Sequence, residues 1–143
     1  MSGTHAVLEP HPIGTPEPRP SPWSGPYWEG LREGELRFQR CRDCGAITFN
    51  PAPLCSNCQS ENLGWERSRG QGEIYSYTVV WRPQTPAFRV PYCAAIVAID
   101  EGLQILANVI GCAPDAVDIG QRVTLECHPI SERFHLPYFR PER

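Results

Sequence analysis

A pair of Cys-x-x-Cys turns, Cys41-Arg-Asp-Cys44 and Cys55-Ser-Asn-Cys58, constrains this chain more than any other feature. Each turn presents two thiolates on one side, and the ten residues from Gly45 to Leu54 are enough for a short hairpin that returns the second pair opposite the first. Four thiolates at tetrahedral corners suit zinc. Gly45 follows the first turn, where a residue without a Cβ takes positive φ and lets backbone N–H groups point at sulfur; the second turn is followed by Gln59, a less suitable residue. Disulfides, or an iron centre with the same four-thiolate geometry, are the competing readings. The start, Met1-Ser-Gly-Thr-His5, has neither a basic n-region nor an apolar h-region, so a reducing, cytoplasmic setting is expected. There, paired turns of this kind are metal knuckles far more often than disulfides. A closed four-cysteine site leaves no position for water or substrate, so the metal is expected to hold a fold and do no chemistry.

The remaining cysteines, Cys93, Cys112 and Cys127, bring the total to seven, an odd number that argues against a disulfide framework. At 143 residues the chain accommodates one small metal-stapled module joined to one small barrel. The net charge is −3, and all 13 basic residues are arginine. Without lysine there is no Schiff-base lysine, no phosphate-loop lysine and no lysine base. The acidic balance also disfavours nucleic-acid binding, which draws its affinity from basic surface.

Residues 1–25 read as a proline-rich flexible tail, the functional alternative being a docking arm along a partner with Trp23 as its anchor. Residues 26–68 read as a short helix plus the ribbon. Pro26, Glu29 and Gly34 bracket two helical turns with Tyr27, Trp28 and Leu31 on one face, and two turns need something to pack on. Leu36 to Arg40, Ala46 to Phe49 and Leu63 to Trp65 read as ribbon strands. Residues 69–143 read as the barrel. Glu73 to Trp81, Tyr92 to Ile99, Leu103 to Val109 and Val123 to Cys127 are strand-like, Ala113 to Val117 holds one helical turn, and Phe134 to Phe139 supplies a closing strand that Pro137 confines to an edge. The fold class expected is therefore mainly β: a short helix and a rubredoxin-like zinc ribbon, then a five-stranded OB-fold barrel. Alternation along the first barrel strand puts Ile74, Ser76, Thr78 and Val80 on one face and Tyr75, Tyr77, Val79 and Trp81 on the other, without saying which is core.

Little in the sequence points to catalysis. His5 and His11 lie in the tail, while His128 and His135 have no obvious nucleophile or acid beside them. A Cys93–His128 pair is conceivable for thiol chemistry, but a lone cysteine in a β run is usually a small buried residue. Gly70-Gln-Gly72 precedes a strand, the wrong context for a dinucleotide fingerprint. Tyr75, Tyr77, Trp81 and Phe88 with Arg82 and Arg89 would make either a base-stacking platform for single-stranded nucleic acid or half of a protein interface.

Taken in order, "PYWEGLREGELRFQRC", "CRDCG", "CSNC", "GQGEIYSYTVVWRP", "YCAAIVAIDEG" and "LPYFRP" resemble the zinc-ribbon/OB-fold family associated with acyl-CoA metabolism, long catalogued as a domain of unknown function. The resemblance spans about residues 26–141. It implies a non-catalytic accessory subunit of a thiolase-fold or hydratase enzyme, as in steroid side-chain or other acyl-CoA degradation, helping to form an acyl-CoA site that the larger subunit works in. It carries over Cys41, Cys44, Cys55 and Cys58 as metal ligands and no catalytic set. Within it, Arg40, Arg42 and Arg67 become candidate contacts to CoA phosphates or to acidic partner residues.

Overall fold

The structure, a computed structural model, describes residues 6–48 and 50–142. Helix α1 (Gly25–Arg32) opens the regular structure with proline in its first turn. Its end is a Schellman turn: Glu35 N–H reaches Gly30 C=O (2.7 Å), Gly34 N–H reaches Leu31 C=O (3.1 Å), and Gly34 supplies the left-handed φ of 83°. Leu31 is fully buried and Tyr27 and Trp28 are partly so, which is the single apolar face read from the sequence.

Strands β1 (Arg37–Cys41), β2 (Ile47–Thr48) and β3 (Leu63–Arg67) form a three-stranded antiparallel sheet in the order β2-β1-β3. The strand expected over 46–49 is only two residues long among the described residues, and Phe49 lies outside them. Strands β4 (Gln71–Val80), β5 (Tyr92–Ile99), β6 (Gln104–Val109), β7 (Arg122–Pro129) and β8 (His135–Pro141) close a barrel in the order β4-β5-β6-β8-β7, with the short 3₁₀ turn Pro114–Ala116 between β6 and β7. All pairings are antiparallel except β6 with β8.

In two places the barrel departs from the sequence reading. Tyr75 sits in a β-bulge between Ile74 and Ser76. Beyond it the facing parity switches: Ile74 opposes Val97, whereas Tyr77 opposes Ala95 and Val79 opposes Cys93. Since Cys93, Ala95 and Val97 are the buried face of β5, Ile74, Tyr77 and Val79 share that side of the sheet, a set no uniform alternation contains, although Tyr77 stays 39% exposed. The second departure is β8. It is paired on both sides, not confined to an edge, because Pro137 faces only β7 and the parallel pairing with β6 begins one residue later, at Tyr138 and Phe139. The missing proline N–H is thus on a segment that has no β6 partner to receive it.

Ribbon and barrel share one core. Leu31, Leu36 and Phe38 are buried in the same cluster as Ile74, Val97, Val109, Val123 and Phe139. At about 1.5–3 kcal/mol for each such side chain, these three anchor the foot of the ribbon. The junction is clamped by Glu101, whose carboxylate accepts from Ser68 Oγ (2.7 Å) and Arg69 N–H (2.8 Å), while Ser68 Oγ accepts from Gly70 N–H (2.9 Å).

The stretch expected as a flexible tail is laid along the barrel over its described part. Leu8, His11, Thr15 and Ser24 are buried, and Leu8 exchanges backbone bonds with Gly111 and Cys112 (3.0 and 2.8 Å). The segment is held by one apolar anchor, Leu8 in the barrel's core cluster, together with backbone, ring and charge contacts. Trp23, the expected anchor, is half exposed.

Candidate metal centre

β1 delivers Cys41 to the first knuckle, and both knuckles repeat one hydrogen-bond pattern. Gly45 N–H donates to Cys41 C=O (2.9 Å) and Gln59 N–H to Cys55 C=O (3.0 Å); Cys41 N–H donates to Ala46 C=O and Cys55 N–H to Ser60 C=O, both at 2.8 Å. Cys44 N–H points at Cys41 Sγ (3.4 Å) and Cys58 N–H at Cys55 Sγ (3.5 Å). The four ligand atoms lie within 4.8 Å of one another, and the cross pairs Cys41–Cys58 and Cys44–Cys55 stand at 3.6 Å. Sulfurs of a tetrahedral zinc site with bonds of about 2.3 Å sit about 3.8 Å apart, so the donor set fits zinc.

The electrostatics point the same way. The Asn57 side-chain amide and the Ala46 N–H pull the Cys44 thiol down to about 6. Cys58 goes up to about 12: the Ser60 N–H opposes that rise, and the Cys41 thiol, burial and the other two sulfurs drive it. Four thiols this close cannot all ionise unless a cation shares the space. The loop around them is braced by Asp43, which accepts from Ser60 Oγ and Asn62 Nδ2, holding its carboxyl below the usual range.

Gln59 has a φ of 63°, making it the non-glycine residue with positive φ among the described residues. It occupies the position that Gly45 (φ 81°) fills in the first knuckle. Gln59→Gly is therefore expected to stabilise the ribbon by about 0.5–1 kcal/mol, read as a higher chelator concentration at half-loss of metal. An unchanged or lower midpoint would contradict this account of the second knuckle.

Each of the three candidate arginines has an intramolecular neighbour. Arg40 pairs with Glu66 (3.1 Å) and donates to Gly45 C=O, Arg67 pairs with Glu35 (3.5 Å), and Arg42 lies over Gly64, whose missing Cβ makes room for its guanidinium. Cys93 and His128 have other surroundings than each other. Cys93 is 0% exposed and burial, with Cys112 nearby, pushes its thiol up to about 11, leaving it protonated and unreactive at neutral pH. His128 is turned to Glu126 (2.9 Å) and stacks edge-on against Tyr138. Of the proposed stacking platform, Tyr75, Tyr77 and Trp81 are exposed, but Phe88 packs against His11 and Tyr92, and Arg89 pairs with Glu9. Two of the six residues of that platform, Phe88 and Arg89, are engaged within the chain.

Sequence reasoning missed a groove of about 440 Å³ between ribbon, helix and barrel, lined by Tyr27, Trp28, Phe38, Trp65, Leu103 and Leu106. Its walls come from α1, β1, β2, β3, the start of β6 and the N-terminal segment around Arg19, so no local pattern announces it. Thr48, 5% exposed, also lines it, and its hydroxyl has no hydrogen-bond partner among the described residues.

Comparison with known proteins agrees with this architecture. Residues 28–64 match the family model described as the ChsH2 rubredoxin-like zinc ribbon domain, and residues 65–128 that of the ChsH2 C-terminal OB-fold domain. A probable enoyl-CoA hydratase alpha subunit of Thermomonospora curvata is 36% identical over 115 residues, 80% of this chain and 36% of that protein. The 3-oxo-4,17-pregnadiene-20-carboxyl-CoA hydratase alpha subunit of Mycobacterium tuberculosis is 33% identical over 97 residues, 68% of this chain and 31% of that protein. This chain thus spans about a third of the length of both. Among solved structures, a chain of an Ltp2-ChsH2(DUF35) aldolase superposes with a TM-score of 0.82 at 34% identity, covering 87% of this chain and 98% of that one. No helix among the described residues is long and apolar enough to cross a membrane.

Proposed function

Because the chain belongs to the ChsH2 family of zinc-ribbon and OB-fold proteins, we infer that it is a non-catalytic accessory subunit of an acyl-CoA enzyme. The observation that carries this reading is the match over nearly the whole of a chain from an aldolase complex. The four-cysteine site is in keeping with it, since a closed thiolate site leaves no position for water or substrate. Cys41, Cys44, Cys55 and Cys58 hold a structural Zn2+ in this reading. The enzyme subunit has a thiolase-type or hydratase-type fold and acts on an acyl-CoA that the two subunits enclose together. The contribution of this chain is a fixed shape: Glu101 and the shared core lock the ribbon onto the barrel, so a partner meets a surface already organised, which lowers the entropic cost of docking.

Co-expression with a thiolase-type or hydratase-type subunit from the same genome tests this. The two are expected to co-elute in a fixed ratio, and acyl-CoA turnover is expected only in the pair, with neither subunit active alone. A chain that stays alone beside every such subunit, or that turns over acyl-CoA by itself, would overturn the assignment.

A further inference from the structure

The extended segment 8–17 does more than cover the barrel, because it grips the loop between β4 and β5, residues 81–91. Its two ends are anchored to the barrel, Leu8 to Gly111 and Cys112, and Gly14 N–H to Ile130 C=O (2.9 Å). Along the segment three successive loop residues are held. Ala87 C=O accepts from Thr15 Oγ1 (3.4 Å), Phe88 meets the His11 ring edge-on at 5.5 Å, and Arg89 pairs with Glu9 (3.1 Å) while its N–H donates to His11 Nδ1 (3.3 Å). The His11 N–H in turn donates to Tyr138 Oη (3.0 Å), and the ring, 6% exposed, also meets Tyr92 at 4.8 Å. Within the loop, Phe88 N–H donates to Thr85 C=O and Ala87 N–H to Thr85 Oγ1, and Gln84 meets the Tyr92 hydroxyl.

His11 Nδ1 accepts a backbone N–H, so the neutral ring carries its proton on Nε2. A second proton would have to enter at Nδ1, displacing the Arg89 N–H and placing a cation beside the Arg89 guanidinium. We propose that residues 8–17 are a strap pinned by the neutral His11 ring, and that protonating this one imidazole releases strap and 81–91 loop together.

The groups facing His11 come from every element around it. They are Glu9 on the strap, Arg89 on the loop, the Tyr92 hydroxyl on β5, Asn108 on β6 and the Tyr138 hydroxyl on β8, with His128 and Glu126 beyond Tyr138. Glu9 is the anion that would welcome a charged ring, and it is engaged by Arg89. Burial, the largest influence, lowers the His11 pKa; Asn108 acts against this, and Arg89 adds to it. A depressed value in the docked state means that the released strap binds more protons. Docking is therefore complete above the ordinary value of 6.5 and weakens as pH falls below it.

Amide hydrogen exchange on the full, metal-loaded chain at pH 7.5 and 5.5, corrected for intrinsic exchange, tests this. Protection of residues 84–91 and 8–15 is expected to fall together, by up to about tenfold, while β5 residues 93–99 stay protected. In His11→Gln the step with pH should vanish, and in a chain lacking residues 1–15 the loop should exchange fast at both pH values, with metal content and β5 protection reporting an intact fold. A pH step that persists in His11→Gln, or a loop equally protected without the strap, would overturn the proposal.

Discussion

Removing the metal is expected to unfold the ribbon from about Cys41 to Asn62 while the barrel stays closed. Beyond Cys41, the last residue of β1, the regular structure there is β2, two residues long, and from Asn50 to Asn62 the buried side chain is that of Cys55. Each residue fixed there costs roughly 1–2 kcal/mol of backbone entropy, and no apolar core is available nearby to offset it. The binding free energy of structural zinc in such modules, about 10–16 kcal/mol, is of the size needed. The barrel does not share this dependence, since Ile74, Val97, Val109, Val123 and Phe139 form its core without the metal. Hydrogen exchange after chelation should show fast exchange over 42–62 and retained protection over 93–99 and 104–109, with one zinc released per chain. Cys44→Ser should behave likewise. A metal-free chain whose 42–62 amides keep their protection would show that the thiolates are incidental to the fold.

The ribbon was legible in the sequence because metal geometry imposes a spacing, and a spacing survives in one dimension: Cys41, Cys44, Cys55 and Cys58 meet within 4.8 Å as their pattern requires. The short helix was legible for a similar reason, since Pro26 and Gly34 mark its ends by local backbone preference. The facing of β4 was not, because a bulge at Tyr75 breaks the period-two rule by which a strand is read. Nor was the strap. Glu9 finds Arg89 and Glu17 finds Arg133, partners 80 and 116 residues away, and proline-rich sequence carries no periodicity that would foretell them. The groove beside the ribbon is assembled from elements far apart in sequence with unrelated local patterns, so only the tertiary arrangement creates it.

Phe139→Ala is expected to cost about 3–5 kcal/mol, the range for truncating a fully buried aromatic side chain. Its position makes the upper part of that range the expected one. Phe139 is 0% exposed and lies where β8 is paired on both sides, opposite Val109 of β6 in the parallel direction and Leu125 of β7 in the antiparallel. β6 and β8 share only the pairs Asn108–Tyr138 and Val109–Phe139, so a cavity at this point weakens the narrowest seam of the barrel. Phe139 C=O also accepts from Ile110 N–H (2.9 Å), a bond that shifts if the seam opens. Urea unfolding followed by tyrosine and tryptophan fluorescence should give a midpoint well below that of the parent chain, with Phe139→Leu falling between the two. Metal retention should change little before the barrel transition, because the knuckles are closed by their own turns and sulfurs. A loss of less than about 1 kcal/mol, which is what a partly exposed aromatic would give, would mean that the β6–β8 seam does not close the barrel in solution.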